Sequence, residues 1–165
     1  MCYNTYTGVV VRTLQAELKQ RRPFKNLRQE AHLSVLRTAA VLEHAFEGAL
    51  KPYGITSTQY NVLRILRGAG ENGLCRHEVR DRMLRPVPDV TRLLDRLEEM
   101  DLITRERGGQ DRRYVTTRIT PAGLKLLAGL DSVVDAIHDE LLGHLDETAL
   151  RSVIDLLARV RNIES

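Results

Sequence analysis

The strongest constraint on this chain is a change of hydrophobic period inside Arg85–Thr120, RPVPDVTRLLDRLEEMDLITRERGGQDRRYVTTRIT. Val90, Leu93, Leu94, Leu97 and Met100 recur at the i, i+3, i+4, i+7 spacing of one buried helical face. Asp89, Thr91, Arg92, Asp95 and Arg96 occupy the opposite face. Pro88 suits a first helical position, and Asp89 puts a carboxylate in the first turn beside the positive end of the helix dipole, so the helix is expected to begin there. Beyond Met100 the period becomes an alternation. Leu102, Ile103 and Thr104 enter one strand, Tyr114 to Ile119 form another, and the intervening 107–113, RGGQDRR, supplies a glycine hinge and a cationic hairpin tip.

A helix that runs straight into a ribbon needs a partner helix in front of it. Leu74–Leu84, LCRHEVRDRML, meets that need as a short helix with Val79, Met83 and Leu84 facing inward, and Pro86 and Pro88 fix the turn between the two. Two short helices across a tight turn, the second with a polar outer face, form a helix-turn-helix, and the ribbon makes it a winged one.

The rest of the chain frames this element. Met1–Gly8 reads as a frayed polar start and Val9–Gln20 as a short helix stopped by Arg21-Arg22-Pro23. From Leu27 to Leu50, Leu33, Leu36, Ala40, Val41, Ala45, Phe46 and Leu50 keep a helical period until Pro52, Tyr53 and Gly54 end it. Thr56-Ser57-Thr58-Gln59 offers a capping box for a helix carrying Tyr60, Val62, Leu63, Ile65 and Leu66, which closes at Gly68, Gly70 and Gly73. Thr120-Pro121 starts a helix to Gly143 with apolar residues on more than one stripe, and Asp146-Glu147 opens a last helix with the same excess at Leu150, Val153, Ile154, Leu156, Leu157 and Val160. So much apolar surface in one small protomer implies that a second copy of the chain covers it, against the alternative that these helices fold back on their own core. The expected architecture is mainly α with a small β-wing. It comprises an N-terminal extension (1–26), a first dimerisation and connecting helix (27–55), a winged helix-turn-helix (56–120) and C-terminal dimerisation helices (121–165).

Composition agrees. Of 165 residues 42% are hydrophobic but only 4% aromatic, so the core must be aliphatic. The net charge of +3 is mild, yet 21 of the 25 cationic side chains are Arg, whose planar fork suits phosphates and guanine edges; codon usage in a GC-rich genome accounts for the same bias. Cys2 and Cys75 are too few for a disulfide framework and are not spaced as a metal pair, which fits a reducing cytoplasm. No apolar run approaches the roughly 20 residues of a membrane span, and the N-terminus lacks the pattern of a secretory signal.

The segments YGITSTQYNVLRILRGAG, DVTRLLDRLEEMDLITR and DRRYVTTRITPAG resemble the second helix, recognition helix and wing of the MarR family of multiple-antibiotic-resistance regulators, within a likeness that runs from Leu27 onward. Asp-x-Arg, a strand, and then Thr-x-x-Gly form the more specific part of that signature. The likeness implies a homodimeric transcriptional regulator, a repressor by expectation, that binds an inverted repeat in double-stranded DNA. In such a protein Thr91 and Arg92 reach base edges in the major groove, Arg92 being able to hold a guanine bidentately. Asp89 caps the helix or accepts from a cytosine amine; Arg96 meets phosphate. Arg113 enters a narrow minor groove with Arg112 on the backbone beside it, and the resemblance gives Asp111 the task of orienting an arginine. A solvated hairpin tip is the plainer reading of Arg112 and Arg113. The family likeness further implies a small aromatic or phenolic effector in a cleft, for which His32, Leu36, Tyr53 and Tyr60 are candidates that core or helix-end packing explains equally.

Two other readings stay open at this point. One is a winged-helix adapter that binds protein and not DNA. The other is a thiol or metal switch on the same scaffold: Cys75-Arg76-His77 sets a thiol near an imidazole and an arginine, and Glu140, His144 and the nearby His138 make part of a zinc set that nothing completes. No glycine-rich phosphate loop, nucleophile elbow or paired carboxylate is present, so neither a cofactor nor an enzyme activity is expected.

Overall fold

In the computed structural model the described residues are 3–6, 9–107 and 115–162, with side chains described from Arg12 onward except that of Arg107. They fall into two compact units, residues 1–44 and 45–165. The first opens with two antiparallel strands, β1 (Tyr3–Tyr6) and β2 (Val9–Arg12), paired from Tyr3 with Arg12 to Tyr6 with Val9. A single helical turn, α1 (Leu14–Glu17), follows, started by the Thr13 hydroxyl accepting from the Ala16 amide. The helix expected over Val9–Gln20 is therefore corrected. Val9-Val10-Val11 is a β-branched run, and a pairing partner at Tyr3–Tyr6 lets that preference win.

Helix α2 (Leu27–Leu50) begins in this unit and ends in the second. It stops in a 3-10 turn at Lys51–Tyr53, where Gly54 takes the left-handed conformation at φ 73° and its amide bonds the Lys51 carbonyl. The capping box forms as expected: Thr56 Oγ1 accepts from the Gln59 amide (3.1 Å), and Gln59 Oε1 accepts from the Thr56 amide (2.9 Å). Helix α3 (Ser57–Ala69) then buries Tyr60, Val62, Leu63 and Leu66.

Next come strand β3 (Leu74–Cys75), helix α4 (Arg76–Asp81), helix α5 (Val90–Glu99), strands β4 (Ile103–Arg107) and β5 (Val115–Ile119), and helices α6 (Pro121–Leu142) and α7 (Glu147–Arg161). The sheet is antiparallel in the order β3-β5-β4, with Leu74 opposite Thr117 and Ile103 opposite Ile119. Its third strand replaces the start of the helix expected at Leu74. That helix is shorter than its apolar spacing suggested: Val79 is buried, but Leu84 lies beyond the helix end, 88% exposed, with its amide held by Asn61 Oδ1 (3.0 Å). One aliphatic core joins α3, α4, α5, β4 and α6 through Leu63, Val79, Leu94, Leu97, Ile103 and Leu130.

The Thr-x-x-Gly element locks the ribbon to α6. Thr120 Oγ1 accepts from the Gly123 amide (3.0 Å) and donates to the Asp101 carbonyl (2.7 Å), while the Thr120 amide bonds the Leu102 carbonyl (3.1 Å). A Cβ on Gly123 would stand 2.4 Å from that same Leu102 oxygen and 2.7 Å from Ile119 Cγ1. Two of these neighbours cannot yield, since one is backbone and the other is packed in the sheet. Gly123→Ala is expected to lower stability by about 1 to 3 kcal/mol, the usual range for forced overpacking, measured by urea unfolding; an unchanged midpoint would show that the junction can open freely.

Candidate nucleic-acid interface

Helix α5 is anchored on one face and bare on the other. Val90, Leu94 and Leu97 are buried, whereas Thr91 and Arg92, and Arg96 one turn further along, are exposed. Met100, expected in the buried stripe, is the C-cap just beyond this helix and is 40% exposed. Asp89 is the N-cap and not a first-turn residue: its Oδ1 accepts from the Arg92 amide (3.0 Å), and its Oδ2 pairs with Arg92 Nε (3.1 Å). A carboxylate occupied twice by its own helix leaves the Arg92 side chain 85% exposed and directed by its cap.

The ribbon is tied to this helix by one side chain. Arg105 on β4 bonds Glu98 Oε2 through Nε (2.9 Å) and reaches Asp95 Oδ1 through Nη2 (2.6 Å). Hydrogen bonding to Glu98, then to Asp95, raises the Arg105 pKa further above its ordinary value, so its charge is permanent. Arg118 of β5 braces the ribbon itself, with Nη1 on Glu106 Oε2 of β4 (2.6 Å) and Nε on the Glu71 carbonyl (2.7 Å). Asp95, placed on the open polar face by the sequence pattern, thus belongs to the joint. Asp111, Arg112 and Arg113 lie outside the described residues.

The structure brings two arginines and an imidazole to the start of α5, a position that the sequence pattern does not give them. Arg76, His77 and Arg80 line a cleft of about 140 Å³ with Val87, Pro88, Asp89, Val90 and Thr91, beside the start of α5. Arg76 Nη1 bonds Thr91 Oγ1 (3.1 Å), so a residue of α4 orients a hydroxyl of α5. The i, i+4 spacing of Arg76 and Arg80 was visible in the sequence, but its meaning depended on which way α4 turns toward α5. At the head of α4 the Cys75 amide donates to Glu78 Oε2 (2.8 Å), which holds the Glu78 carboxyl below its ordinary range, the Cys75 thiol adding to the effect.

Of the effector candidates, Tyr60 is a core residue, set edge-on to Phe46 at 5.5 Å with the Arg64 guanidinium on its hydroxyl (3.0 Å). Tyr53 is 42% exposed at the end of its turn, and His32 and Leu36 are exposed on α2. His144 falls outside α6, and no cluster of metal-binding side chains occurs among the described residues.

The sequence pattern of the MarR family matches residues 53–113, which include α3, the two helices of the turn and the first wing strand. The solved structure of a MarR transcription factor from Planctomyces limnophilus is 37% identical, covers 82% of this chain and 98% of its own, and superimposes with a TM-score of 0.65. The chain belongs to the MarR family. It is a winged helix-turn-helix DNA-binding transcription regulator. The HTH-type transcriptional regulator MhqR of Bacillus subtilis is 29% identical over 108 residues, 66% of this chain and 73% of that protein. MepR of S. aureus, solved as a DNA complex, is 25% identical over 79% of this chain and 94% of its own, with a TM-score of 0.70. These matches favour the regulator over the adapter. Among the described residues no helix of this MarR-family protein is long and apolar enough to cross a membrane.

Two outcomes follow from the geometry. Arg105→Gln should cost on the order of 1 kcal/mol, a charge-assisted bond discounted for partial exposure, and should speed amide exchange in β4; unaltered exchange there would deny the clamp. For Glu78 the folded pKa is lowered, so its capping contribution is present above the ordinary value of 4.5 and is lost as pH falls through the lower folded one. An NMR titration following the Cys75 amide should show that midpoint below 4.5 and show none in Glu78→Gln; a midpoint at or above 4.5 contradicts the assignment.

Proposed function

We propose that the protein is a cytoplasmic repressor with no catalytic role, which binds an inverted repeat as a homodimer and reads it with Thr91 and Arg92. The observation that carries this is the division of α5: one face is packed in the core, the other presents two arginines and a hydroxyl, and Arg105 joins the helix to the wing. Arg92 offers a fork to guanine, with Asp89 aligning it and not itself reading a base. Arg96, with Arg76, His77 and Arg80, meets phosphate and sets the register. Arg113, flanked by Arg112, inserts in the minor groove, with Asp111 orienting an arginine by family resemblance.

The dimer is supported by unpartnered apolar surface. No residue of α7 is buried in the single chain, and Ile154, Leu156 and Val160 are more than half exposed; Leu36 on α2 is exposed to a like extent. Burial of such faces against a second copy offsets their cost in water. A small aromatic or phenolic effector that releases the DNA is the regulation we assign, with His32, Leu36, Tyr53 and Tyr60 as its candidate contacts.

Arg92→Ala and Arg113→Ala test this reading on a duplex selected by the protein from a random pool. Arg92→Ala should lose about 1 to 3 kcal/mol, concentrated at one base pair, and Arg113→Ala should weaken binding while sedimentation still reports a dimer. Full affinity in both variants would remove the proposed reading head.

A further inference from the structure

The positive charge of this protein is concentrated, in sequence, well ahead of its reading helix. The chain holds 25 Lys and Arg against 22 Asp and Glu, of which Arg12, Lys19, Arg21, Arg22, Lys25 and Arg28 against Glu17 alone fall within residues 12–28. That leaves 19 cations against 21 acids in the rest of the chain, so the remainder is net acidic. All six cationic residues are exposed, and among the described residues none has an ion-pair partner. Glu17 is itself engaged by Arg37 (3.6 Å). In the winged domain, by contrast, Arg92, Arg105 and Arg118 are each paired with a carboxylate of their own fold.

A protein that meets a polyanion draws most of its non-specific affinity from unpaired cations, because each neutralised phosphate releases counterions. We propose that residues 12–28 are a second phosphate-contacting surface, which holds duplex DNA without reading its sequence. This rests on the DNA-binding reading above. Six like charges without counter-ions repel one another, and a phosphate backbone relieves that repulsion. Duplex suits the segment better than a membrane surface does, since Pro23 interrupts it and no continuous amphipathic helix spans its cations.

The test compares the full chain with an Arg21→Gln, Arg22→Gln, Lys25→Gln variant on a mixed-sequence duplex at several KCl concentrations. All three positions are exposed and outside regular secondary structure, and circular dichroism confirms the fold. The slope of log affinity against log salt should fall by about 0.9 for each phosphate no longer neutralised, up to about 3 for the triple change, with a matching variant carrying Lys at positions 21 and 22 keeping the parental slope. Equal slopes in parent and Gln variant, while Arg92→Ala still impairs binding to the selected duplex, would overturn this inference alone. A parent that binds no duplex would overturn it together with the proposed function. Loss of binding to phosphatidylserine vesicles with duplex affinity unchanged would overturn it in favour of a membrane.

Discussion

The arrangement depends on the hold that Arg105 has on Asp95 and Glu98. A recognition helix and a wing can read adjacent grooves only if the angle between them is set before DNA arrives, since ordering two mobile parts on binding would subtract from affinity. Arg105 sits on the first wing strand opposite Thr117, the buried residue of the middle strand. From there it spans to two positions one turn apart on α5. The same side chain engages two carboxylates of α5, and Thr91, Arg92 and Arg96 remain exposed on that helix.

Below this joint, packing fixes the parts. Leu94 and Leu97 press α5 into the core, Ile103 buries the start of the wing, and Thr120 with Gly123 leads the chain from the wing into α6 at a distance that only glycine permits. Helix α7, in contrast, leaves its apolar side chains uncovered. The described part of the head thus packs within one chain, whereas the terminal helix does not bury its apolar side chains there.

Much of this was legible in the sequence because it was local. The period of Val90, Leu93, Leu94 and Leu97 specifies α5, the Thr56–Gln59 box specifies the start of α3, and the alternation after Met100 specifies the ribbon. What failed depended on distant partners. A two-residue strand at Leu74–Cys75 has no period of its own and exists only because β5 lies beside it. Leu84 looked like core by spacing, but α4 ends three residues earlier. Arg105 and its two carboxylates carry ordinary charges on ordinary elements, and only the fold reveals that they meet; Arg76 with Thr91 is a second case.

The claim at the centre is that two preset heads engage one duplex together. Hydroxyl-radical and methylation protection on a pool-selected duplex measures it directly. Two protected major-groove patches about one helical turn apart, each flanked on its outer side by minor-groove protection, are the predicted pattern. A single patch, or protection of the backbone with no groove signature, would contradict it.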